Sequence, residues 1–228
     1  MSARSGTHQS LQIPVAGVVL DADLGMPETP RGAVLFAHGS GSGRRSPRNR
    51  FVADELNRAD LVTVLADLLR AEEEQVDLRT AALRFDIDLL AARLIGLTDW
   101  VTRSGSTAGL GIGLFGASTG AAAALIAAAG RPAPVQAVVS RGGRPDLAGA
   151  HLRDVRQPTL LIVGERDPLV IDLNRKALRE LGGESRLLIV PGATHLFEEP
   201  GALEQVAQLA RDWFLGHLQP LPADHQES

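Results

Sequence analysis

The stretch GIGLFGASTG, residues 111–120, joins two textures that recur along the whole chain. Gly111–Phe115 reads as a short apolar strand, and Thr119–Ala129 is an alanine-rich run with helical spacing. Between them stands Gly116-Ala117-Ser118-Thr119-Gly120, the pattern G-x-S-x-G. With a strand before it and a helix after it, this pattern presents a serine on a tight, strained turn. Small flanking residues let strand and helix approach closely. A plain glycine-rich turn with Ser118 capping the helix is the alternative reading. The overlapping G-x-G-x-x-G of residues 111–116 fits a dinucleotide fingerprint poorly. Ile112, Leu114 and Phe115 put it inside the strand, and Ser140 and Arg141 stand where an acid would be needed.

Outward from this point the chain alternates. Further strands are expected at Ala33–Ala37, Val62–Ala66, Val135–Ser140, Thr159–Val163 and Arg186–Val190. Helices are expected at Pro47–Ala59, Ile87–Val101, Leu173–Leu181 and Leu203–Leu218. Ser46 before Pro47 reads as a cap and first helical residue. Strand and helix repeated in this way imply a mostly parallel sheet with helices on both faces. Leu11–Val15 and Val18–Asp23, turning at Gly17, would add an antiparallel pair at one edge. A single α/β domain is expected over residues 11–218, with loose segments at 1–10 and 219–228. The connection from Arg141 to Pro158 is too short for a separate lid domain, so a site there would be open.

A serine hydroxyl is a weak nucleophile until a base takes its proton. Of the six histidines, His8 and His225 fall in the expected tails, and His151 and His217 in polar or helical surroundings. His38 begins a glycine loop. His195, in Pro191-Gly192-Ala193-Thr194-His195, lies between the last strand and the last helix and is the candidate base. The acid should follow the penultimate strand, in Val163-Gly164-Glu165-Arg166-Asp167-Pro168. Asp167 is the first choice, although Asp before Pro is also a common turn or cap residue. Glu165 and Asp146 are weaker candidates. An oxyanion needs backbone N–H donors. Thr119, after the serine, should give one, and His38-Gly39-Ser40-Gly41-Ser42-Gly43 the other, with Ser40 the first choice and Gly39 or Gly41 as alternatives. His38 and Gly39 would then border the substrate.

Composition narrows the classes. Formal charge −4 and pI near 5.9 argue against nucleic acid as a partner. With no cysteine, disulfides, thiolate metal sites and a cysteine nucleophile are excluded. No histidine pair has helical ligand spacing, so neither metal nor cofactor is expected. Glu72-Glu73-Glu74 reads as a solvated charge run. The longest apolar run, Ala121–Ala129, falls far short of the ~20 residues that span a bilayer. The polar opening lacks a signal-peptide core. A cytoplasmic protein without membrane contact is therefore expected. Arg44, Arg45 and Arg48 flank the glycine loop, and Arg141 follows a strand that should end on the same side. One or more could hold a substrate carboxylate, or simply pair with surface acids.

Together these segments resemble the α/β-hydrolase superfamily, in its dienelactone-hydrolase-like branch. The carriers are HGSGSGRRSPRN (38–49), FGASTG (115–120), SRGGRPD (140–146), VGERD (163–167) and GATHLF (192–197). The resemblance covers about Val34 to Phe214 and implies an α/β-hydrolase fold without a large lid. It implies a triad of Ser118, Asp167 and His195, in the chain order of that superfamily. Dienelactone hydrolases proper carry a cysteine nucleophile, so Ser118 points to general ester or lactone hydrolysis of a small substrate. Some relatives are fused to a phosphoribosyltransferase domain, which this chain does not resemble. Thioesterase, peptidase and acyltransferase chemistry would use the same triad, and a non-catalytic binding protein would keep the fold alone.

Overall fold

In the computed structural model, residues 6–222 are described. Among these residues eight strands form one sheet: β1 (Thr7–Val15), β2 (Val18–Met26), β3 (Gly32–Ala37), β4 (Leu61–Ala66), β5 (Ile112–Ala117), β6 (Val135–Arg141), β7 (Thr159–Gly164) and β8 (Ser185–Val190). Their order is β1-β2-β4-β3-β5-β6-β7-β8. The β1–β2 hairpin joins β4 antiparallel, and every pairing from β4 to β8 is parallel. The described residues also form the helices α1 (Pro47–Arg58), α2 (Ala71–Thr80), α3 (Ile87–Arg103), α4 (Gly120–Gly130) and α5 (Pro168–Leu178) between strands, and α6 (Ala202–His217) after the last. This is an α/β-hydrolase fold.

The strands β3, β4, β5 and β7 are buried along their whole length, because helices cover both faces of the sheet. Alternation along β5 divides its side chains between two cores. Ile112 and Leu114 pack with α3 and α4, while Phe115 packs with α1 and α6. Gly113 lies under the Phe214 ring, where a Cβ would come within 2.5 Å of it. The two glycines of G-x-S-x-G are fixed by close approach. A Cβ at Gly116 would lie 2.4 Å from Ala121 Cα, and one at Gly120 would lie 2.2 Å from the Ala37 carbonyl. Only glycine lets α4 start directly against β3 and β5.

Several expectations need correction. Residues 7–10 are not a loose segment, because β1 starts at Thr7 and pairs with β2 up to Met26. His8 is thus a strand residue. At the other end, Gln219 N–H donates to Gln136 (2.7 Å) and Leu221 N–H to the Gly109 carbonyl (2.8 Å), so these residues are tied down. The rest of both expected tails, including His225, lies outside the described residues. The connection after β6 coils into 3-10 turns over Pro145–Asp154. Helix α5 starts at Pro168, five residues before Leu173, because proline suits the first helical position. Glu72–Glu74 is the first turn of α2, and the reading as a solvated charge run holds for the exposed Glu72 and Glu74 but not for Glu73, which forms a two-pronged ion pair with the buried Arg93 (2.6 Å for both contacts). Among the described residues no helix is long and apolar enough to cross a membrane.

Candidate active site

Parallel strands bring the ends of β3, β5, β6, β7 and β8 to one edge of the sheet, and the candidate site residues lie at or after these ends. Ser118 stands between β5 and α4 with φ +51°, a left-handed conformation that is strained for a non-glycine residue. The next loop over holds it there. Ser118 N–H donates to the Arg141 carbonyl (3.2 Å), and its own carbonyl accepts from Arg144 N–H (3.0 Å). A Cβ on Gly39 would lie 2.9 Å from Ser118 Cβ, so the β3 loop reaches the serine from the other side. The Ser118 hydroxyl has no hydrogen-bond partner among the described residues, and the residue is half-buried.

Asp167 and His195 are brought together. His195 Nδ1 lies 2.6 Å from Asp167 Oδ2. Asp167 occupies the position before α5, yet its side chain makes no capping bond there. Its carboxylate is turned to the imidazole instead, contrary to the simple cap reading. Glu165 is spent on Gly192 N–H (2.7 Å) and Asp146 on Arg144 (2.7 and 2.9 Å), so neither alternative acid faces the ring. The His195 ring lies against Gly142, where a Cβ would be 3.5 Å from both Cε1 and Nδ1. Thr194 N–H donates to Glu199 (3.1 Å), and hydrogen bonds from the Thr194 side chain and then its N–H hold the Glu199 carboxyl below its usual range. Glu199 escaped sequence reasoning because its acceptor role depends on the turn. The acid four residues beyond the histidine was the available signal.

The loop after β3 departs from expectation at Ser40. Ser40 N–H is not open but donates to Thr119 Oγ1 at 3.1 Å, while Thr119 N–H has no acceptor among the described residues. His38 lines the loop with both ring nitrogens engaged inside the protein. Nε2 accepts from Leu68 N–H (2.9 Å), so Nδ1 carries the proton and faces the Gly39 carbonyl (3.1 Å). Burial lowers the His38 pKa and keeps it neutral. Arg44 is likewise engaged inside the protein. It is ion-paired with Asp67, lies 3.5 and 3.7 Å from Asp21 and Asp23, and anchors the loop.

Arg141 behaves differently. It is 8% exposed, its Nη1 is buried, and its guanidinium has no acceptor among the described residues. The group stands over the Phe115 ring, 5.9 Å from the centroid. Such a contact gives about 0.5–2 kcal/mol, whereas burying an unpaired charge costs several. Burial and the neighbouring Arg48 lower its pKa to about 10, which leaves it cationic at neutral pH. Arg48 gives one nitrogen to Glu198 (3.1 Å) and buries Nε without a partner.

This fold and edge-of-sheet arrangement define the chain as an α/β-hydrolase. It belongs to the dienelactone hydrolase family, whose model matches residues 28–216. A dienelactone hydrolase from Anabaena variabilis has a similar structure. It is 57% identical, with a TM-score of 0.92 over 94% of this chain and 99% of that one. Est1E from Butyrivibrio proteoclasticus shares the fold at 16% identity, with a TM-score of 0.75 over 93% of this chain and 98% of that one. Proteins of two Mycobacterium tuberculosis strains, provisionally named phosphoribosyl transferases, are 58% identical over 206 residues. The match takes in 90% of this chain and 44% of theirs, so the chain spans less than half the length of these curated relatives.

Proposed function

We propose that this hydrolase cleaves a carboxylic ester or lactone of a small substrate through an acyl-enzyme on Ser118. The observation that carries the reading is the 2.6 Å contact of Asp167 with His195 Nδ1, made in place of a helix cap. A carboxylate there keeps the proton on Nδ1 and leaves Nε2 as the base. Nε2 takes the Ser118 proton as the oxygen attacks the carbonyl carbon. The oxyanion is held by Thr119 N–H, joined by Ser40 N–H when it exchanges Thr119 Oγ1 for the substrate oxygen. The imidazolium gives its proton to the leaving alcohol, and water activated by the same nitrogen releases the acid.

The left-handed backbone at Ser118 supports the assignment, because strain of this kind persists where a site requires it. The name borne by the mycobacterial relatives belongs to proteins of more than twice the matched length. For the segment shared with this chain we propose hydrolysis, not phosphoribosyl transfer. The test is labelling with a fluorophosphonate probe, wild type against Ser118→Ala, with mass spectrometry of the modified peptide. One adduct, on Ser118 and absent from the variant, is the expected result. No adduct under conditions that label a known esterase would reduce the chain to a binding protein of this fold.

A further inference from the structure

Four consecutive backbone positions at the end of β6 reach the site's other elements in turn. The Arg141 carbonyl accepts from Ser118 N–H (3.2 Å), and Arg144 N–H donates to the Ser118 carbonyl (3.0 Å). Gly142, with φ +51°, lies against the His195 ring, and its N–H donates to the Ile162 carbonyl of β7 (2.8 Å). Gly143 is wedged against α4, since a Cβ there would collide with Ser140 Oγ and Ala121 Cβ. Its carbonyl is met from the opposite side, by Nδ2 of Asn174 in α5 (2.9 Å).

Asn174 is fully buried, two turns along the helix that Asp167 precedes. Nδ2 also donates to the Val170 carbonyl (2.8 Å), so the donors of this amide are spent, while Oδ1 has no partner among the described residues. One side chain thus ties the helix of the acid to the loop that touches both the serine and the histidine. A buried carbonyl without a donor is unfavourable, so without this amide Gly143 would turn toward another donor or toward water. Its neighbours would move with it, because the peptide planes between them are rigid. We propose that Asn174 is a positioning residue, which fixes through the Gly143 carbonyl where the Ser118 backbone and the His195 ring stand relative to Asp167. The proposal rests on the hydrolase reading for its effect on rate, but not for the clamp.

Asn174→Leu tests this, because leucine keeps the branched shape and removes the amide. The variant loses one buried group without a partner, Oδ1, and creates another, the Gly143 carbonyl, so its melting temperature should stay near that of wild type. Activity should not follow stability. Fluorophosphonate labelling of Ser118 is expected to slow about tenfold or more, and kcat on p-nitrophenyl acetate to fall likewise with KM little changed, because the reacting groups are misplaced. The His195 Nδ1 proton, followed by NMR, needs no turnover and should exchange with water several-fold faster once Gly142 leaves the ring. A purely structural Asn174 would lower the melting temperature and leave these three readouts where they are. Should Asn174→Leu fail to fold, Asn174→Ala, which only removes atoms, takes its place. Equal labelling rates in wild type and variant overturn the clamp and leave the hydrolase reading intact. Absence of labelling in wild type would end that reading, and proton exchange then decides alone: faster exchange in the variant upholds the clamp, and unchanged exchange removes it.

Discussion

Ser40 N–H donates to Thr119 Oγ1 across 3.1 Å, so the β3 loop and the start of α4 are tied to each other beside Ser118. Residues 79 apart in sequence thus share one hydrogen bond at the point where the proposed oxyanion forms. The bond sets the position of the Ser40 donor before substrate arrives. Preorganised donors of this kind matter most in the transition state, where charge develops.

Thr119→Val tests the tether. Valine keeps the backbone N–H and the branched shape and removes only the hydroxyl. On a p-nitrophenyl ester, kcat is expected to fall about tenfold to a hundredfold, within the range for a misplaced oxyanion donor, with little change in KM. Thr119→Ser should restore most of it. An increase in kcat would mean that the hydroxyl obstructs the oxyanion position and that the tether is an impediment.

Asp167→Asn separates orientation from folding. An amide can donate to Nδ1, which would leave the imidazole proton on the wrong nitrogen. A loss in kcat of roughly 10³- to 10⁴-fold is expected on that ground. The melting temperature should stay near wild type, because the side chain does not cap α5. If activity fell by less than tenfold, another group would have to orient His195.

His38 gives a pH prediction. Its folded pKa is depressed by burial, so the native state binds its proton less readily than the unfolded chain does. The neutral ring adds no penalty above the unfolded pKa near 6.5, and stability falls as pH drops below it. Protonation would also put a proton on Nε2, which now accepts from Leu68 N–H. Replacing His38 by Gln, whose carbonyl can still accept, should flatten the decline in urea-unfolding free energy as pH falls below about 6.5. An unchanged slope would assign the decline to other groups.

Much of this arrangement was legible because local chemistry and global position agree. Residues 111–120 carry a strand period, two forced glycines and a helix start within one short run. Asp167 and His195 could be placed because each follows a strand whose apolar run is unambiguous. What could not be read depended on partners distant in the chain. The β1 segment from Thr7 to Ser10 is exposed, so it lacks the alternation that marks a strand and is held by pairing with β2. Helix α2 buries only Asp77 and exposes Val76 and Leu78, so no apolar stripe announces it. The contrast between Arg44 and Arg141 is equally invisible in sequence. It rests on Asp21, Asp23 and Asp67, brought to one arginine and not to the other by β2 and β4.

The ion pair of Glu73 with Arg93 carries the last prediction, on stability. Arg93 is 3% exposed and reaches Glu73 through both terminal nitrogens, while Arg70 N–H at the start of α2 donates to the same carboxylate (2.8 Å). These donors lower the Glu73 pKa to about 2 from its ordinary 4.5. A depressed carboxylate stabilises the fold above its unfolded pKa, and that contribution disappears as pH falls from about 4.5 to about 2. Glu73→Gln leaves Arg93 buried without its counter-charge, and should cost about 3 kcal/mol at neutral pH, the low end for a broken buried pair. The variant should also lose less stability than wild type between pH 4.5 and 2, as measured by urea unfolding at each pH. A difference below about 0.5 kcal/mol at pH 7 would class the pair with solvent-screened surface bridges, and α2 would then owe its place to Asp77 and Arg84 instead.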